Sequence, residues 1–271
     1  MTSSRAPLGL SVGITNTRLS AEKRGIAVEL ALRLAATANT QVCLVGADPT
    51  DRDVQRRLPQ LVARSGRYTR TVVREGAHAL EVAFLPDQRL CVVALSDRAG
   101  VESVLPELQG IFEYVIVDAP SRVGSGGVGI SRALVPLLDA LVVASGLSAG
   151  ELALTRGYIH ALEAMAGARH VDVRVVGSGE TDDGGLALDQ LERRLRALPM
   201  ISRIPQLWGR APHGSTVDHD DLDAAFRPIV DWIVETRRAR TGADSSDITP
   251  AASASINRHL ATLLYRRDSG V

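Results

Sequence analysis

The sequence predicts an α/β fold, a doubly wound and mostly parallel sheet flanked by helices, followed by a separate C-terminal amphipathic helix. Two observations predict it. Short apolar runs alternate with segments of helical periodicity along most of the chain, which is the pattern of βαβ units and a parallel sheet. The chain has 271 residues, 45% hydrophobic but only 3% aromatic, so it can bury a large core and must build it from aliphatic side chains.

The elements follow in order. "LGLSVGI" reads as a first strand. Ala21 to Ala36 reads as a helix, with Ile26, Leu30 and Leu34 at i, i+4 and i+8. "VCLVGAD" is a second, buried strand, and "DVQRRLPQLVA" a helix after it. "LEVAFLP" and "RLCVVAL" read as a hairpin closed near "DQ". "GVESVLPELQGIF" is helical and leads into the strand "YVIVDAP". "ALVVAS", "VDVRVVG" and "MISRIP" complete the strands, with helices at Gly150–Met165, Leu186–Leu198 and about Asp221–Arg240. One globular domain is therefore expected over residues 1–240. "TGADSSDITPAASAS", residues 241–255, is small, polar and Pro-containing, the composition of a flexible linker. Residues 256–271 form a basic amphipathic helix in this reading, with Ile256, Leu260, Leu263 and Leu264 on one face and arginines, Arg266 and Arg267 among them, around it.

Composition narrows the function classes. Lys+Arg and Asp+Glu number 31 each, so the chain carries no general positive field for nucleic acid. The N-terminus lacks a signal-peptide apolar core, and no run of about 18 apolar residues exists to span a bilayer. Cys43 and Cys91 lie in apolar runs and are expected as buried thiols, in keeping with a reducing cytoplasm. Lys23 is the only lysine among the 31 basic residues.

These pieces, in this order, resemble the MinD/ParA family of deviant-Walker-A P-loop ATPases. "IAVELALRLA" resembles the helix after the family's phosphate loop, "VCLVGADP" its second strand, "FEYVIVDAPS" its Walker B strand, and "ALPMISRIP" the late segment near the nucleotide base. The resemblance covers nearly the whole domain and implies the P-loop NTPase fold. It sets "RLSAEKR" on the motif Lys-Gly-Gly-x-Gly-Lys-Thr/Ser. Lys23 then stands at the lysine that reaches the β- and γ-phosphates, and Arg18 at the signature lysine that crosses to a dimer partner's nucleotide. Asp118 stands at the Walker B carboxylate that orients the metal's water, and Asp48 at the residue that positions the attacking water.

Several positions depart from the motif. Leu19, Ser20 and Glu22 replace glycines whose positive φ lets backbone N–H groups approach phosphate. Glu22 adds negative charge where a polyphosphate would lie, and Arg24 replaces the hydroxyl that ligates Mg²⁺, an ion demanding near-ideal octahedral geometry. Gly46 replaces the first aspartate of the Asp-x-Asp pair, and Gly177 an adenine-reading asparagine. Metal ions neutralise the charge that develops in phosphoryl transfer, so the substitutions point to a pseudo-ATPase with neither ATP nor Mg²⁺ as an expected cofactor. Arg24 is expected to pair with Asp118 or Asp48 and to fill the metal's place with a fixed cation.

The tail helix has two readings: an anchor of apolar residues and arginines on a membrane surface, or a helix that docks on a partner. "SRVGSGGVGIS" reads as a switch or flexible loop, "DHDD" as an acidic helix start, and "LWGR" as a hydrophobic plug. The resulting expectation is a cytoplasmic spatial regulator or adaptor, peripheral at the inner face of the membrane if the tail anchors there. It binds protein partners of a septum- or pole-positioning system or of pilus or secretion assembly, and it can form a homodimer. The alternative is an active ATPase cycling between dimer and monomer, with Lys23 on phosphate, Asp118 on metal and Asp48 on water. A DNA-associated role is disfavoured by the neutral charge.

Overall fold

The computed structural model describes residues 9–17, 23, 25–47, 53–75, 78–95, 101–120, 130, 133–167, 171–178, 198–204 and 219–241. Nine strands form one sheet: β1 Leu10–Asn16, β2 Val42–Gly46, β3 Thr69–Glu75, β4 His78–Leu85, β5 Leu90–Leu95, β6 Tyr114–Asp118, β7 Ala140–Ser145, β8 Asp172–Ser178 and β9 Met200–Ile204. The helices are α1 Ile26–Ala38, α2 Asp53–Arg64, α3 Val101–Ile111, α4 Ala149–Ala166 and α5 His219–Thr241.

The spatial order is β3-β4-β5-β2-β6-β1-β7-β8-β9. All pairs from β5 to β9 in that order are parallel, and the β3-β4-β5 edge is antiparallel. The mostly parallel sheet is thus as expected. The parallel strands are buried on both faces because helices cover both, which is why they read as unbroken apolar runs. α1, α2 and α5 pack with Val12, Ile14, Leu44 and Ile116 on one face. α3 and α4 pack with Val45, Val117, Leu141 and Val143 on the other.

β1 is the hinge of the topology. The chain leaves it through α1 toward β2 on one side, whereas β6 feeds β7 on the other. The crevice beyond the carboxyl ends of such strands, at the point where the order reverses, is where open α/β sheets bind ligands. β1 is also asymmetric. Leu10, Val12 and Ile14 alternate with Ser11, Gly13 and Thr15, and Leu138 takes the room left by Gly13, where an added Cβ would lie 2.6 Å from its Cδ1.

At the opposite edge of the sheet, α5 is tied down by its arginines. Arg237 pairs with Glu113 at 3.0 Å and lies over the Tyr114 ring. Arg240 pairs with Asp139, whose carboxylate also accepts from the Ser11 amide at 2.9 Å and the Ser11 hydroxyl at 3.0 Å.

Four boundaries correct the sequence reading. α1 begins at Ile26 and not at Ala21, since Gly25 adopts φ 84°, a left-handed conformation that stops a helix from running through it. β3 was not anticipated; its "TRTVVRE" mixes arginine and threonine with valine, as an edge strand with one unpaired side does. α5 runs through Thr241, which the composition assigned to the linker. Leu198, expected as the last residue of a helix, lies in a turn before β9. The rest of the 186–198 helix and residues 242–271, with the remainder of the linker and the whole tail helix, lie outside the described residues.

Candidate functional site

The crevice at the end of β1 is built from neighbouring strands. Asp118 is the last residue of β6 and lies in register with Ile14 of β1 and Gly46 of β2. Its backbone is fixed on both sides: its carbonyl accepts from Ala47 at 3.1 Å, and the next amide, Ala119, donates to Ile14 at 2.9 Å. The carboxylate therefore stands at a set place at the mouth of the crevice.

Lys23 reaches that place from the segment between β1 and α1. Its Nζ lies 2.8 Å from Asp118 Oδ1, with the two side chains 2% and 4% exposed. The same ammonium donates to the Ala119 carbonyl. A buried lysine and a buried carboxylate each need a partner, because taking either charge out of water uncompensated costs several kcal/mol, roughly 3–5 when one member of such a pair is removed. Here each supplies the other. The cation beside Asp118 is thus Lys23, whereas the sequence suggested Arg24, which lies outside the described residues. Arg18 and Asp48, the other residues read as site members, also lie outside them, as do Ile256, Leu260, Leu263, Leu264, Arg266 and Arg267.

Two further contacts close the crevice, and neither was legible beforehand. α2 lies against the end of β2, with the Val54 Cβ 2.9 Å from where a Cβ on Gly46 would stand. An aspartate at position 46, as in the family motif, would collide with α2 as it is packed here. On the far side, Thr15 Oγ1 and Tyr158 OH of α4 share a hydrogen bond of 2.9 Å, and Thr15 also donates to the Pro120 carbonyl at 3.4 Å. Burial pushes the Tyr158 phenol above its ordinary range; hydrogen bonds from Thr15 and the Ile130 backbone, and the charge of Lys23, act in the opposite direction. Tyr158 stands 143 positions from Thr15, and no local pattern marks it.

The thiols are as expected, buried and free. Cys43 and Cys91 are register partners on β2 and β5, and burial, followed by a hydrogen bond with Cys91, raises the Cys43 thiol well above its ordinary range. Among the described residues no group of three or more His, Cys, Asp or Glu side chains is placed to hold a metal ion, and no helix is long and apolar enough to cross a membrane.

This arrangement does not fit the magnesium nucleotide that the P-loop fold implies. The lysine is turned to protein oxygens on β6 and its neighbour, and the carboxylate is held by the lysine. As it stands, the site can neutralise its own charges, and no chemical step is assigned to it.

Comparison with solved structures gives the fold. MinD in the MinC:MinD cell division complex of Aquifex aeolicus aligns over 90% of this chain and 100% of its own, with TM-score 0.52 and 15% identity. The septum site-determining protein MinD of Pyrococcus horikoshii OT3, complexed with Mg-ADP, aligns over 87% and 99%, with TM-score 0.56 and 9% identity. A plasmid partition protein from Borrelia burgdorferi aligns over 84% and 98%, with TM-score 0.51 and 10% identity. The chain has the MinD/ParA-like P-loop fold. At these identities the likeness speaks for the fold alone. No family model matches the sequence, and no curated protein does.

Proposed function

We propose that this protein is a MinD/ParA-like spatial regulator or adaptor whose nucleotide site is closed by its own side chains, a pseudo-ATPase that works through partners. One observation carries the reading: the buried pair between Lys23 and Asp118. In a P-loop ATPase the lysine must face phosphate and the carboxylate must face the metal's water shell. Here the two groups that should bind ligand bind each other, and Val54 closes the neighbouring strand end. The substitutions at Leu19, Glu22 and Arg24 point the same way.

The fold supports a partner-binding role, since the Aquifex MinD of this fold is found in a complex with MinC. The protein acts in the cytoplasm, in septum or pole positioning or in pilus or secretion assembly. Residues 256–271 bring it to the inner face of the membrane or to a partner.

A second reading has its own observation. Lys23 and Asp118 are both kept, side by side at the topological switch point, as an ATPase cycling between dimer and monomer requires. Calorimetric titration of the full chain with ATP separates the two readings. The adaptor reading expects no saturable heat with or without Mg²⁺; micromolar, Mg²⁺-dependent binding transfers the protein to the ATPase class.

A further inference from the structure

The pair at the crevice has an asymmetry that bears on what could open it. Asp118 is fixed by its strand, with backbone hydrogen bonds to both flanking strands. Lys23 comes from the segment before Gly25, at the end of a long side chain, and can leave without disturbing the sheet. An anion arriving from solvent would seek the ammonium. If it took Lys23 alone, it would strand a carboxylate that is 4% exposed, and that penalty is charged against the binding of the anion.

From this we infer that Asp118 acts as an internal competitor for Lys23, an autoinhibitory latch that keeps a phosphate-type anion out of the crevice until its own negative charge is removed. The inference rests on the reading of this crevice as a degenerate nucleotide site, and it deepens that reading by naming what closes it. Two consequences follow from the charges. Neutralising Asp118 frees the ammonium for an anion without any divalent cation. Deleting Lys23 as well removes the gain, because the remaining polar groups described around it, Thr15 and Tyr158, bear no positive charge.

The sequence supplies an unusual reporter. Lys23 is the only lysine in the chain, so an amine-acylating reagent has two targets, Lys23 and the N-terminal amine, which peptide mapping distinguishes. The latch keeps Lys23 buried, and its reactivity therefore reports whether the latch is shut.

The test uses the full chain, its Asp118→Asn variant and the double variant Lys23→Met/Asp118→Asn, each titrated with inorganic tripolyphosphate in the presence of EDTA. The latch predicts that Asp118→Asn binds tripolyphosphate at least about tenfold more tightly than the wild type, a factor of ten being the smallest shift expected from an uncompensated buried charge, and that the double variant loses the gain. It also predicts faster acylation of Lys23 in Asp118→Asn, with tripolyphosphate slowing it. Equal affinities of wild type and Asp118→Asn overturn the inference, as does a gain that survives in the double variant. Circular dichroism checks the fold of each variant. Should Asp118→Asn not fold, the wild type alone decides: Lys23 must acylate at least about tenfold more slowly in the native chain than in urea, and labelling at the denatured rate refutes the latch. The outcomes stay separable. Micromolar Mg-ATP binding by the wild type removes the adaptor reading, whereas an unresponsive Asp118→Asn removes the latch and leaves the adaptor reading standing.

Discussion

Lys23 was conspicuous because it stands alone among thirty arginines, and its chemistry explains why a lysine suits the place. An ammonium is a compact point charge with three donors, and here it serves a carboxylate oxygen and a backbone carbonyl at once. Arginine's broad planar fork would need a wider opening. Lys23→Ala leaves the Asp118 carboxylate buried without this partner, so the variant should lose about 3–5 kcal/mol of stability, read from the urea midpoint. Replacing both charges, in Lys23→Met/Asp118→Leu, should cost less than the single change, because a buried ion pair can be exchanged for apolar groups of similar volume at little net loss. A double variant less stable than the single one would show that the pair is not the main partner of either residue. The sequence marked both residues but not their union: spacing places them in one fold, while only the register of β6 beside β1 and the path of the chain from Asn16 to Gly25 bring them within 2.8 Å.

At the scale of elements, the entry to α1 and the end of β2 shape the crevice. Gly25 holds φ 84° immediately before α1, and its carbonyl accepts the first helical bond, from Glu29 at 2.9 Å. Gly25→Ala should destabilise by about 1 kcal/mol through the left-handed backbone alone, a change in midpoint that leaves the circular dichroism spectrum intact. Gly46→Asp restores the residue of the family motif yet drives it into Val54, so a loss of about 1–3 kcal/mol is expected from overpacking in the same denaturation assay. Strands such as β2, β6 and β7 were legible because unbroken aliphatic runs have few other uses in a chain of this composition. α1 was legible in its body, where Ile26, Leu30 and Leu34 share a buried face, but not at its start, where a backbone angle decides. β3 escaped because its pairing with β4 runs from Thr69 against Phe84 to Glu75 against His78, and an edge strand carrying two arginines has no continuous apolar signature.

For the whole molecule, two-sided burial of the sheet fixes both the fold and its response to alkali. Tyr114 and Tyr158 are pushed above the ordinary phenol value of 10.0, mainly by burial, and Cys43 above the ordinary thiol value of 9.0. The folded chain therefore holds these protons more tightly than the unfolded chain. Their contribution is complete below the unfolded values and is lost as pH climbs through them toward the raised folded ones. Urea midpoints should fall steadily above pH 9, and phenolate absorbance should show Tyr114 and Tyr158 ionising together with unfolding; midpoints unchanged to pH 11 would contradict the burial. The architecture was readable from the alternation of strands and helices, and the MinD/ParA-like likeness agrees with it at 9–15% identity, where shape persists after sequence has diverged. The closure of the site was only half readable, since Leu19, Glu22 and Arg24 announce a departure from the motif but not which groups fill the space. Crystals grown with millimolar ATP and Mg²⁺ test the central claim most directly. The account predicts Lys23 Nζ on Asp118 and Ala119 with no nucleotide in the crevice; a magnesium-bound triphosphate seated against Lys23, with Asp118 turned to the metal's water, would contradict it.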